Sequence, residues 1–127
     1  MQVVTPLACV LACVAGLARA EGAARVLACR SLHDCDAAGF CEEAAGAVGF
    51  RLEPRDVGAD GSGSFSLDAG AGPVPARGMG DAGPWAWTEA GGGSDTLLLS
   101  DASHALWHHR GADGAVRVRF LICEVTQ

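Results

Sequence analysis

The sequence predicts an all-β protein: a small antiparallel meander of about eight short strands that closes into a barrel or a sandwich and is stapled by disulfides. Three observations carry this reading. Runs of alternating apolar and polar residues recur at roughly 10–12-residue spacing. Gly-rich turn clusters separate them, drawing on 18 glycines. No stretch shows a long helical period.

Residues 24–29, ARVLAC, read as a first short strand. Residues 30–46 are small and polar, with Gly39 and two cysteines; they predict a loop with one helical turn at Glu42-Glu43-Ala44-Ala45. In 47–53, Val48, Phe50 and Leu52 share a face against Arg51 and Glu53, a half-buried strand that Pro54 ends. The cluster Gly58-Ala59-Asp60-Gly61-Ser62-Gly63 turns the chain into a partner strand, where Phe65 and Leu67 alternate with Ser64, Ser66 and Asp68. After a turn at 69–73, VPARGM at 74–79 predicts an edge strand, because Pro75 cannot donate to a ladder. Gly80-Asp81-Ala82-Gly83-Pro84 breaks the chain, and Trp85 to Glu89 then places Trp85 and Trp87 on one face. Gly91-Gly92-Gly93-Ser94 is a further turn, followed by a β-rich run at 96–100 and a strand from His104 to His109. Gly111-Ala112-Asp113-Gly114 repeats the GADG of 58–61 and reads as a second, independent hairpin turn. The last strand runs from Ala115 to Cys123, with Val116, Val118 and Phe120 alternating with Arg117 and Arg119.

Residues 1–20 read as a signal peptide. Their core, LACVLACVAGL at 7–17, is too short to cross a bilayer of ~30 Å, and Ala18-Arg19-Ala20 supplies a small-x-small cleavage site. That leaves one domain, 21–127, in the periplasm or outside the cell, with no later segment able to span a membrane. All nine basic residues are Arg. Losing Arg19 leaves eight of them against 15 carboxylates, a mature formal charge of −7. An acidic domain without a basic stripe repels phosphate backbones, which excludes nucleic acid, and favours a basic protein partner.

Cys9 and Cys13 leave with the leader, so the domain keeps Cys29, Cys35, Cys41 and Cys123. Four thiols in an exported chain read as two disulfides, with three possible pairings. The favoured pairing joins Cys35 to Cys41 and Cys29 to Cys123, the second tying the first strand to the last. The C-x5-C-x5-C spacing lacks the two-residue gaps of common zinc sites.

Candidate chemistry centres on the histidines. His104 and His108 share a strand face while Trp107 and His109 share the other; at roughly 13 Å apart along a strand His104 and His108 cannot hold one metal alone, so a weak metal site would need help from His33, Asp34 or a loop fold. Ser103, His104 and Asp101 are close in sequence, but neighbours on a strand point apart, which argues against a catalytic triad. The carboxylates Asp34, Asp36, Glu42 and Glu43 crowd the Cys35–Cys41 region without a visible cleft. Trp85, Trp87 and Trp107 are candidates for a binding surface, or for core bulk in a chain with four Phe and no Tyr. No cofactor is called for.

Cys29, Cys35, Cys41, the Phe50-x-Leu52 strand and the closing Phe120-Leu121-Ile122-Cys123-Glu124 resemble a group of small exported alphaproteobacterial proteins of uncharacterised activity. Periplasmic barrels that inhibit lysozyme are similar in size, export and late Cys; their Ser-Gly-x-x-Tyr type signature is missing here, so no inhibitory residues carry over. The sequence therefore predicts a non-catalytic binding or inhibitory module. The alternatives are a metal-handling protein and an envelope structural or small-ligand carrier.

Overall fold

The computed structural model describes Met1 and residues 22–127; the leader read at 1–20 falls outside the described residues. Nine strands follow in order: β1 (Arg25–Asp36), β2 (Cys41–Glu43), β3 (Ala47–Val57), β4 (Ser62–Asp68), β5 (Pro73–Met79), β6 (Trp85–Thr88), β7 (Ser94–Leu99), β8 (His104–Arg110) and β9 (Val116–Thr126). Among the described residues there is no helix, and so none long and apolar enough to cross a membrane. From β3 to β9 each strand pairs antiparallel with the next, and β1 closes the circle by pairing with both β3 and β9. The result is an eight-stranded closed barrel, not a sandwich. The short β2 lies outside the ring and takes over the edge of β1 that β3 leaves.

Local chemistry explains the connections. Four hairpin turns share one geometry: 36–40, 58–62, 89–93 and 111–115. In each, the first residue's N–H donates to the carbonyl of the fifth, and the fourth residue's N–H donates back to the carbonyl of the first. The fourth position is Gly39, Gly61, Gly92 or Gly114, all with φ between 80° and 93°, a left-handed conformation that other side chains resist. The two GADG segments are thus two copies of one turn type. In both, the Asp (Asp60, Asp113) accepts from the N–H two residues on.

Three expectations need correction. The loop and helical turn read at 30–46 give way to strand: β1 runs on to Asp36, and Cys41–Glu43 is strand β2, drawn flat by its pairing with His33–Cys35. Pro54 does not end its strand: β3 continues to Val57 through a register shift between Pro54 and Asp56, which absorbs the missing donor. β5 is not an edge, because the barrel has closed; Pro75 is tolerated since the β5–β6 ladder pairs only Ala76–Gly78.

The interior is filled by Leu27, Phe50, Leu52, Leu67, Trp85, Trp87, Leu97 and Leu121, as expected of a barrel just wide enough for side chains. The rings of Phe50 meet Trp87 and Trp107 edge-on, with centroids 6.3 and 5.2 Å apart. The expected cystines both form, and both are cross-strand. Cys29 faces Cys123 on the β1–β9 seam, and Cys35 faces Cys41 on the β1–β2 hairpin.

Candidate functional site

The barrel has two unlike mouths. One lies where β1 begins and β9 ends, the other where β1 ends and β9 begins. At the first, Leu52, Phe65, Trp85 and Arg25 line a cavity of about 310 Å³. Arg25 lies over the Trp85 ring, 5.8 Å from its centroid, and donates to the Asp81 carbonyl. Among the described residues it makes no carboxylate ion pair.

The second mouth is polar on its inner wall. Strand parity puts it there. Leu97 and Leu121 point inward, so Asp95, Trp107, His109, Arg117 and Arg119, which share their faces, must do so too. Asp95 is the one fully buried charged residue among those described, at 1% exposure. Its Oδ1 accepts from Trp107 Nε1 at 2.8 Å and meets His109 Nδ1 at 2.8 Å. Its Oδ2 is buried without a partner. Glu89, from the β6–β7 turn, brings Oε1 to 3.8 Å from the same His109 nitrogen. Asp95 pushes the Glu89 carboxyl above its usual range, first because a protonated Glu89 could donate a hydrogen bond to it and then through burial; His109 opposes the shift. Further round the wall, Arg119 stacks 5.0 Å over Trp107 and reaches Asp34 at 3.3 Å, where Arg117 also binds at 2.9 Å. The hydrogen bond from Arg117 is the main reason the Asp34 carboxyl sits below its usual value; burial works against it.

Beside this mouth stands the β1–β2 hairpin. Its tip is Asp36–Phe40, locked by the Cys35–Cys41 cystine. Asp36 Oδ1 accepts from the N–H groups of Ala38 and Phe40, which fixes the loop from within. Phe40 is 75% exposed, and Asp36, Glu42 and Glu43 around it are exposed as well.

The histidines singled out from the sequence do not gather. On the outer wall His104 faces Ile122, His108 faces Val118, and His33 faces Phe120. Among the described residues, the one His/Cys/Asp/Glu group with ligand atoms within 4.8 Å of one another is Glu89, Asp95 and His109. His33, His104 and His108 therefore fail as a joint metal site, because each sits on a different pair along the wall. Trp85 and Trp87 are core, at 1% and 7% exposure, with Trp85 also in the lining of the cavity at the first mouth; Trp107 is half-buried at the polar mouth. Asp101, Ser103 and His104 do meet, in the β7–β8 turn. Both Asp101 and Ser103 address His104 Nδ1, at 2.9 and 3.3 Å, so the imidazole does not stand between them as a proton relay requires. Asp101 instead caps the turn. Its carboxyl is lowered to about 2, first by the Ser103 N–H and then by His104.

No family model matches the chain, and no curated protein or solved structure matches it. The resemblance to small exported proteins rests on the residues quoted for it. Sequence reasoning passed over Phe40, Glu89 and Asp95. One signal was available: Asp95 alternates with Leu97 and Leu99, a carboxylate on the apolar side of a strand.

Proposed function

We propose that this protein is an exported binding module that docks a basic protein partner through the β1–β2 hairpin. Export is supported by the leader read at 1–20 and by two cystines, which are consistent with an oxidising, extracytoplasmic compartment. The observation that carries the reading is Phe40: a large apolar side chain held 75% exposed on a cross-linked loop. A loop already fixed loses little entropy on binding, and a buried aromatic anchor is a common source of interface energy. Asp36, Glu42 and Glu43 surround it with negative charge, which speeds encounter with a basic rim. The partner is thus a protein with an apolar pocket ringed by Arg or Lys.

The test compares wild type with Phe40→Ala as baits for envelope extract, at low and high salt. A partner held by wild type at low salt, weakened by salt and lost with Phe40→Ala, supports the proposal. Equal capture by the variant refutes it. Because Phe40 is exposed, the variant stays within about 0.5 kcal/mol of wild-type stability. A second reading, a small-ligand carrier, is favoured by the cavity of about 310 Å³ with apolar walls and Arg25. Its ligand would be an apolar carboxylate, and quenching of Trp fluorescence by a short-chain fatty acid, abolished by Arg25→Ala, would support it.

A further inference from the structure

The polar mouth contains a group that hairpin binding does not use. Asp95 is buried to 1% exposure, yet one of its two oxygens has no partner. A buried acceptor left unpaired is costly, and a buried charge more so. Glu89 lies alongside with its outer side open to solvent: a Cβ at Gly93 would meet its Oε2 at 3.1 Å, so the side chain is folded back over its own turn. Two carboxylates are therefore held together next to an imidazole, while Arg117 and Arg119 on the same wall pair with Asp34.

We propose that Glu89, Asp95 and His109 form a binding site for a divalent transition-metal ion of the zinc type. One nitrogen and two carboxylate oxygens form a donor set typical of zinc, with a fourth position left to water at the open side. Tetrahedral bonds of about 2.0 Å place ligand atoms ~3.3 Å apart. The distances from His109 Nδ1, 2.8 Å to Asp95 Oδ1 and 3.8 Å to Glu89 Oε1, bracket that value. Binding takes the lone pair of Nδ1, so the neutral ring carries its one proton on Nε2 and both carboxyls ligate as carboxylates. Trp107 supplies the outer support: its N–H on Asp95 Oδ1 fixes the carboxylate, whose Oδ1 keeps a second lone pair on the His109 side and whose Oδ2 has no donor of its own. Calcium and magnesium fit poorly, since they ask for six or more oxygens. The competing account is a proton shared between Glu89 and Asp95.

The experiment is calorimetric titration of the disulfide-bonded protein with zinc chloride, paired with the visible spectrum of added cobalt(II). The expected result is one equivalent bound with Kd near or below about 1 μM, together with tetrahedral cobalt bands. Glu89→Gln and His109→Ala should weaken binding at least about tenfold, while His104→Ala and His108→Ala leave it unchanged. Glu89 is half-exposed, so Glu89→Gln keeps the test valid should Asp95 variants misfold. Absence of binding tighter than about 100 μM overturns the site in favour of the shared proton. Binding that survives His109→Ala but is lost with His104→Ala overturns it in favour of the outer wall.

Discussion

Removing the seam cystine tests how the barrel is closed. Cys29 and Cys123 are 94 residues apart, whereas Cys35 and Cys41 are six apart. In the chain-entropy view, freeing the longer loop in the unfolded state costs about 4.7 kcal/mol, and freeing the shorter one about 2.4. Cys29→Ala/Cys123→Ala also strips two sulfurs from the core, where both residues are 6% exposed, so its loss is at the upper end. At about 4 °C per kcal/mol for a domain of this size, the expected falls in Tm are about 20 °C for the seam and about 10 °C for the hairpin. Urea unfolding followed by Trp fluorescence measures both variants. The slope m should rise in the seam variant, because its unfolded chain is less compact. Equal losses in the two variants would refute the reasoning: the β1–β9 ladder alone would then close the barrel, and the cystine would add only local order.

Three further outcomes follow from the same geometry. Gly78→Ala builds a Cβ 2.5 Å from Phe65 and 2.8 Å from Trp85, both rigid core rings, and should cost about 1–3 kcal/mol in urea denaturation. Trp107→Phe deletes the N–H that Asp95 Oδ1 accepts and should cost about 1–2 kcal/mol, against less than about 0.5 for the outward His108→Ala. Asp34, Asp60 and Asp101 all have folded-state pKa values below the ordinary one, Asp101 at about 2. Each contributes stability that is present above about pH 4 and is lost as pH falls through its folded value. Tm should therefore decline from about pH 5 towards pH 2, and Asp34→Asn should flatten that decline while lowering Tm at pH 7.

The strands and turns were legible because each rests on local chemistry: alternation for Phe50-x-Leu52 and Phe65-x-Leu67, and glycines that can take positive φ for the four like turns. The cystine pairing was legible as well, since joining the first and last strands is how a meander closes. Barrel closure itself was not, because a meander of this length can roll up or fold over, and only the β1–β9 register decides. The extent of β3 was missed because a bulge can carry a strand past a proline. The group at the polar mouth was hidden for a similar reason. Asp95 and His109 are directly opposite across β7 and β8, but that follows from a hairpin register the sequence leaves open. Histidine spacing along one strand drew attention to His104 and His108, whereas the contact that matters runs across strands.

One extra residue explains why the polar mouth exists at all. In the first part of β1, odd-numbered residues point inward, with Leu27 and Cys29 in the core. Register then shifts between Ser31 and His33, with Ser31 opposite Leu121 and His33 opposite Phe120, so Leu32 is a bulge. Beyond it parity is reversed. Asp34 turns inward to meet Arg119 and Arg117, and Cys35 turns out to meet Cys41. On β9 no such shift occurs, and Cys123 at the seam forces every second residue inward as far as Arg117. Two arginines are thus set on the inner wall of the open mouth by a cystine several residues away, and the bulge delivers the carboxylate that pairs with them. The same bulge therefore serves both ends of the functional argument: it pairs Arg117 and Arg119 with Asp34, so that neither pairs with Glu89 or Asp95, and it turns Cys35 to the outer face, where it meets Cys41 on the hairpin that carries Phe40.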